Sequence, residues 1–245
     1  MHEAFDGRAR ALRVASVVVS LVVFAPAAAF AEFQQFSATA HDLKTDRVLF
    51  TEHYDVQVEN GRWASGTTRY LLPSGQQVAE RKFDFSADRY VPVYSLEQSN
   101  PEYREGITRI DKGKVDLFMV RDGNRQSAAL DRVKEMVADC GAQAYVVDHI
   151  DALQGGGTLH FILAVAGRVD SFALRARKVG DVDVNGTKGI RVRVELDSLL
   201  RLLLPKLELV VDPQSRRLLE YSGISNLKDP ATRKAYSARI VFSYQ

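Results

Sequence analysis

Apolar and polar residues alternate along most of this chain. From Val48 to Val58 one face carries Val48, Phe50, Tyr54, Val56 and Val58, and the other carries Thr51, His53, Asp55 and Gln57. A period of two is the signature of a half-buried antiparallel strand. Glu52 is the exception, a carboxylate on the apolar face. Asn60-Gly61 follows, a strong hairpin signal, and Trp63 to Leu72 runs back. Pro73-Ser74-Gly75 makes the next turn. Strands are then predicted over Val78–Phe85, Val93–Glu97, Tyr103–Ile110 and Val115–Val120, with Asp111-Lys112-Gly113 joining the last two. The run reads as a meander.

Between Ala128 and Leu153 the spacing changes. Leu130, Val133 and Val137 form one stripe at helical spacing, and Tyr145, Val146, Ile150 and Leu153 form another. Gly155-Gly156-Gly157 ends the helical stretch. Gly141 divides the two stripes, and the alternative for 134–139 is extended chain. Strands resume with Leu159–Val165 and Val169–Val179. After the Asn185-Gly186 turn, Ile190, Val192, Val194 and Leu196 alternate with Arg191, Arg193 and Glu195. Leu207–Val211, Leu218–Ser225 and Ala235–Tyr244 complete the series. The expected fold is mainly β. It is a large curved antiparallel sheet, or open half-barrel, of about a dozen strands with a short helical insertion near 128–154.

The N-terminus breaks this pattern. Arg8, Arg10 and Arg13 precede an uncharged run from Val14 to Ala31 that ends Ala29-Phe30-Ala31. That is the layout of a cleavable secretory signal. The rival is a membrane anchor, but the run is near the lower limit of about 17–25 residues for a spanning helix. Pro26 and the alanines after it suit a cleavage region better. The chain is therefore expected to be a signal peptide, 1–31, and one exported β-rich domain, 32–245. No later stretch is apolar enough to cross a membrane as a helix.

Charge is nearly balanced, with 33 basic and 31 acidic side chains, so a nucleic-acid partner is not expected. Cys140 is the only cysteine, which excludes an intrachain disulfide, and it reads as a small buried hydrophobe. Asp181-x-Asp183-x-Asn185-Gly186 opens like a calcium loop, but the twelfth position is Val192, so the segment reads as a polar hairpin turn. Asn185-Gly186-Thr187, formally a glycosylation acceptor, is explained by the same turn. His41, His53, His149 and His160 have no metal-site spacing, and no G-x-S-x-G elbow occurs. No catalytic residue, metal or cofactor is assigned.

The segment Leu199 to Leu209 holds seven leucines broken by Arg201, Pro205, Lys206 and Glu208. It reads either as a buried connection leading into a core strand or as an exposed rim. In the second case Leu200, Arg201, Leu203 and Lys206 would meet a partner.

Ala38-Thr39-Ala40-His41-Asp42-Leu43-Lys44-Thr45, Glu52-His53-Tyr54, Leu196-Asp197-Ser198-Leu199-Leu200-Arg201-Leu202 and Tyr221-Ser222-Gly223-Ile224-Ser225-Asn226-Leu227 span most of residues 36–243. Through these segments the chain resembles a family of uncharacterised secreted bacterial proteins, a domain of unknown function. Its layout is also similar to the periplasmic lipoprotein carriers of the LolA and LolB type. That likeness implies a bacterial periplasm, an open half-barrel with a helix over its concave face and, by extension, an apolar cavity. On that expectation Phe172, Leu174, Ile190, Val192 and Val194 line the cavity, and Tyr145, Ile150 and Leu153 cover it. The expected function is non-enzymatic binding or carriage of a lipid or acyl chain. The alternatives are an envelope module that docks another protein, and a hydrolase whose site forms only in three dimensions.

Overall fold

The computed structural model describes residues 32–99, 101–198 and 206–244. The proposed signal peptide, and Leu200, Arg201 and Leu203 of the leucine-rich segment, lie outside the described residues. Fifteen strands form one sheet. Eight come first, as a meander: β1 (Glu32–Asp42), β2 (Val48–Glu59), β3 (Arg62–Leu71), β4 (Gln77–Asp84), β5 (Val93–Gln98), β6 (Tyr103–Asp111), β7 (Lys114–Arg121) and β8 (Asn124–Asp131). A connecting segment follows, made of β9 (Met136–Ala138), α1 (Cys140–Asp148) and α2 (Ile150–Gln154). The second arm is β10 (Thr158–Val165), a 3-10 turn η1 (Ala166–Arg168), β11 (Asp170–Val184), β12 (Thr187–Leu196), β13 (Leu207–Val211), β14 (Leu218–Lys228) and β15 (Ala235–Tyr244).

The turn chemistry is local. Asn60 and Gly61 both have positive φ, 52° and 72°, and so do Asn185 and Gly186, at 50° and 85°. Such pairs match the twist of tight hairpins, which is why Asn-Gly recurs in them. Asp183 accepts the Gly186 N–H at 2.7 Å, and Asp181 pairs with Lys178, so the calcium-like segment is a capped hairpin turn.

The long-range pairing is less local. Strand order runs β8-β7-β6-β5-β4-β3-β2-β1-β15-β14-β13-β12-β11-β10-β9. The first and last strands pair in the middle of the sheet, from Phe36 opposite Tyr244 to Asp42 opposite Ala238. The sheet edges are therefore β8 and β9, both from the middle of the chain. All pairs are antiparallel except β9 with β10. The two edges differ. All three β9 residues are buried, and Ala138 donates from its backbone to the Tyr90 carbonyl at 2.9 Å. Six of the eight β8 residues are exposed.

The inner face holds two buried clusters. One gathers β1 to β7 with β14 and β15, around Phe50, Tyr54, Val56, Leu96, Ile107 and Leu117. Aromatic rings pack through it, Phe36 stacked on Tyr54 at 4.4 Å between centroids and tilted against Tyr244 at 4.9 Å. The other packs α1 and α2 against β10 to β14. Fully burying one such aliphatic or aromatic side chain contributes about 1.5–3 kcal/mol, so each cluster is a substantial core.

One sequence expectation is corrected. The helical stretch begins at Cys140, not near 128. Leu130 lies in β8 opposite Val115, Val133 is 41 % exposed, and Val137 lies in β9. Three apolar residues are too few to tell a helical period from chance, and β7 offered a free edge that β8 could pair with. The extended alternative for 134–139 agrees with β9.

Candidate functional site

The residues expected to line and cover a cavity come together, with one exception. Leu174 on β11 and Ile190, Val192 and Val194 on β12 face Tyr145 on α1 and Ile150 and Leu153 on α2. All seven are at most 8 % exposed and belong to one buried cluster. Helix and strands thus meet side chain to side chain. Phe172 lies on the same strand face as Leu174, two residues nearer η1, but is 37 % exposed and outside the cluster. Lys206 is exposed just before β13. Two depressions of about 340 and 210 Å³ lie elsewhere, both against Glu32 and Phe33 on β1, and neither touches any of these residues.

The concentrated chemistry is a polar centre inside the first arm, which the alternation pattern almost hid. Period-two placement turns Glu52 and Tyr54 of β2 inward together, and the Tyr54 hydroxyl donates to the Glu52 carboxylate. Arg81 of β4 points into the same space. Its Nη1 lies 3.1 Å from Asp139 Oδ2, and its Nη2 donates to Thr68 Oγ1 on β3 at 3.1 Å. Asp139 also accepts from Asn226 Nδ2 of β14 at 3.2 Å. One carboxylate therefore joins β4, β14 and the start of α1. Asp139 holds φ 44° and ψ −128°, a conformation that costs a non-glycine residue about 1–3 kcal/mol. The ion pair and the Asn226 bond over-determine that strained position.

Electrostatics follow from burial. Desolvation raises the Glu52 carboxyl above its ordinary range, although the Tyr54 hydrogen bond and the Arg81 charge oppose this. Burial and the Asp139 charge push the Cys140 thiol well up, so it is a poor nucleophile. Burial alone would lower Arg81, but the facing Asp139 keeps it firmly charged. Arg81 Nε is buried and has no hydrogen-bond partner. Such a centre braces the sheet: a buried guanidinium, paired and hydrogen-bonded, ties together strands distant in sequence.

A second cluster repeats the tyrosine–carboxylate spacing near the β5–β6 turn. Tyr103 and Glu105 of β6 turn inward, and the tyrosine hydroxyl donates to the carboxylate. Burial raises the Glu105 carboxyl to about 6. The backbone of η1 closes over the pair: a Cβ on Gly167 would overlap both the Glu105 carboxylate and the Tyr103 hydroxyl. Gln98 clamps this end by donating to the Lys228 carbonyl at 2.7 Å and accepting its N–H at 2.9 Å.

The histidines remain apart. His41 bonds the Asp46 carbonyl, His53 bonds Thr51, His149 bonds the Tyr145 carbonyl, and His160 bonds Asp197. The nearest approach to a catalytic pair, His160 Nδ1 to Asp197 Oδ2 at 2.8 Å, sits on the surface, with the His160 side chain 62 % exposed.

Comparison with known proteins places the fold and goes no further. No family model matches the chain, and no curated protein matches it. Among solved structures the chain is similar to a beta-barrel-like protein of domain of unknown function DUF1849 from Brucella abortus. The match has a TM-score of 0.54 and 8 % sequence identity, and covers 86 % of this chain and 96 % of that one. The class defined is thus an open, beta-barrel-like antiparallel sheet. At that identity no residue role transfers.

Proposed function

We propose that this is an exported, non-enzymatic protein of the periplasm that works as an interaction module, adding a partner's strand to its open sheet edge. The observation behind this reading is the inequality of the two edges. β9 is wholly buried, whereas β8 is exposed along most of its length and pairs only with β7 among the described residues. An unpaired edge offers a row of backbone donors and acceptors to an extended peptide. The signal-like N-terminus supports the compartment. The carrier reading, with an acyl chain held as in the lipoprotein carriers, needs a hollow beneath α1 and α2. The close packing of Leu174, Ile190, Val192, Val194, Tyr145, Ile150 and Leu153 favours the module instead.

The test is site-specific photo-crosslinking from Gln126 in the exported protein. A discrete adduct with an envelope protein is expected. Ser127→Lys together with Ala129→Lys abolishes it, because edge lysines repel strand addition, while the urea midpoint stays put. If no adduct forms and the purified protein releases a stoichiometric lipid on solvent extraction, the carrier reading replaces this one.

A further inference from the structure

Three cations meet at one end of the sheet around a single buried carboxylate. The Lys228 Nζ of β14 lies 4.5 Å from the centroid of the Tyr103 ring, and the Arg121 guanidinium of β7 lies 5.8 Å from the same centroid. Arg168 follows Gly167, whose backbone abuts the Tyr103 hydroxyl and the Glu105 carboxylate. Tyr103 is 1 % exposed, so its ring is a fixed floor, whereas Arg121 and Arg168 are exposed.

Among the described residues no acidic side chain forms an ion pair with Arg121, Arg168 or Lys228. Three of the acids nearby are already engaged, whereas Glu102, beside Tyr103, is exposed and makes no ion pair with these cations among the described residues. Asp122 pairs with Arg233. Asp229 accepts from the Ala231 N–H and the Thr232 hydroxyl within its own turn. Glu105 faces inward, accepts the Tyr103 hydroxyl and offsets part of the Lys228 and Arg121 charge, but one carboxylate does not balance three cations. Burial holds the Lys228 ammonium below the ordinary lysine range; the Glu105 charge opposes this, and Arg121 and Arg168 add to it. Three like charges from three elements cost free energy when gathered at one place, and a bound anion removes that cost. Two guanidinium forks and one point charge suit an oxyanion that accepts several hydrogen bonds at once.

We propose that Arg121, Arg168 and Lys228 form a binding site for a phosphate group, carried either by free phosphate or by an anionic lipid headgroup. This inference is independent of the edge reading, because it uses neither β8 pairing nor a partner protein. Arg121 and Arg168 are exposed, so a soluble phosphate or a lipid headgroup reaches them without opening the core.

The experiment titrates the full mature chain with inorganic phosphate by calorimetry, in a chloride buffer. In parallel, sedimentation measures binding to vesicles of phosphatidylglycerol in phosphatidylcholine, with pure phosphatidylcholine as control. Arg168→Gln and Lys228→Gln are each expected to weaken binding about tenfold or more, the effect of losing one charge-assisted contact. Arg168 is exposed and makes no ion pair among the described residues, so Arg168→Gln, which relieves like-charge repulsion, unfolds at a urea concentration no lower than the parent's. Saturable phosphate binding that depends on Arg168 identifies the free anion as sufficient. Vesicle binding that depends on Arg168, without measurable phosphate binding, identifies the headgroup. Absence of both, or binding unchanged in Arg168→Gln and Lys228→Gln, overturns the site.

Discussion

Glu105 makes stability depend on pH in a direction opposite to that of most carboxylates. Burial raises its pKa from an ordinary 4.5 to about 6 in the folded chain. The folded state therefore binds the proton more tightly than the unfolded state. Below about pH 4.5 both states are protonated and the group contributes no difference. As pH rises towards 6 the unfolded chain releases its proton first, and folding loses free energy. The loss is complete above the folded pKa. At 1.36 kcal/mol per unit of pKa it amounts to about 2 kcal/mol. Glu105→Gln removes the titration while keeping an oxygen to accept the Tyr103 hydroxyl. Urea unfolding of both chains at pH 4 and pH 8 measures the effect. The stability of the variant relative to the parent is expected to rise by about 2 kcal/mol between the two values. With a urea slope near 3 kcal/mol/M, that moves the relative midpoint by about 0.7 M. Glu52, also raised by burial, titrates in both chains and cancels in the comparison. A difference between the two chains that stays flat from pH 4 to pH 8 would refute the argument that burial dominates at Glu105.

Three further substitutions test the packing. Asp139→Asn removes the charge that compensates the buried Arg81 and is expected to cost about 3–5 kcal/mol in urea unfolding at pH 7, the usual cost of leaving one half of a buried pair alone; a loss below 1 kcal/mol would mean that Glu52 compensates Arg81 instead. Leu153→Ala, at a fully buried position between α2 and the strands, is expected to cost about 2–5 kcal/mol. Phe172→Ala, at a position 37 % exposed, is expected to cost about 1 kcal/mol or less. Equal losses at the two positions would mean that the second buried cluster extends to Phe172.

The candidate chemistry was only partly visible in the sequence. Glu52 showed itself as the one carboxylate on the apolar face of β2, and Tyr103-x-Glu105 carries the same inward spacing. Cys140 reads as buried and is buried. Arg81 and Asp139 gave no such sign, because their meaning lies in meeting each other across 58 positions. The three cations around Tyr103 were equally silent, since they come from β7, η1 and β14 and share no segment.

The residues alone determined what depends on a few neighbours at a time: strands from period-two alternation, hairpins from Asn60-Gly61 and Asn185-Gly186, and the short helices before Gly155. Side-chain alternation and positive φ are settled within a handful of bonds, so they are written locally. Tertiary structure decided that β1 and β15, the first and last strands, pair in the middle of the sheet, that β9 is covered while β8 is an exposed edge, and that Gln98 clamps Lys228 from 130 positions away. Those outcomes rest on loop closure and on burial shared between distant segments, and no local stretch of sequence carries either.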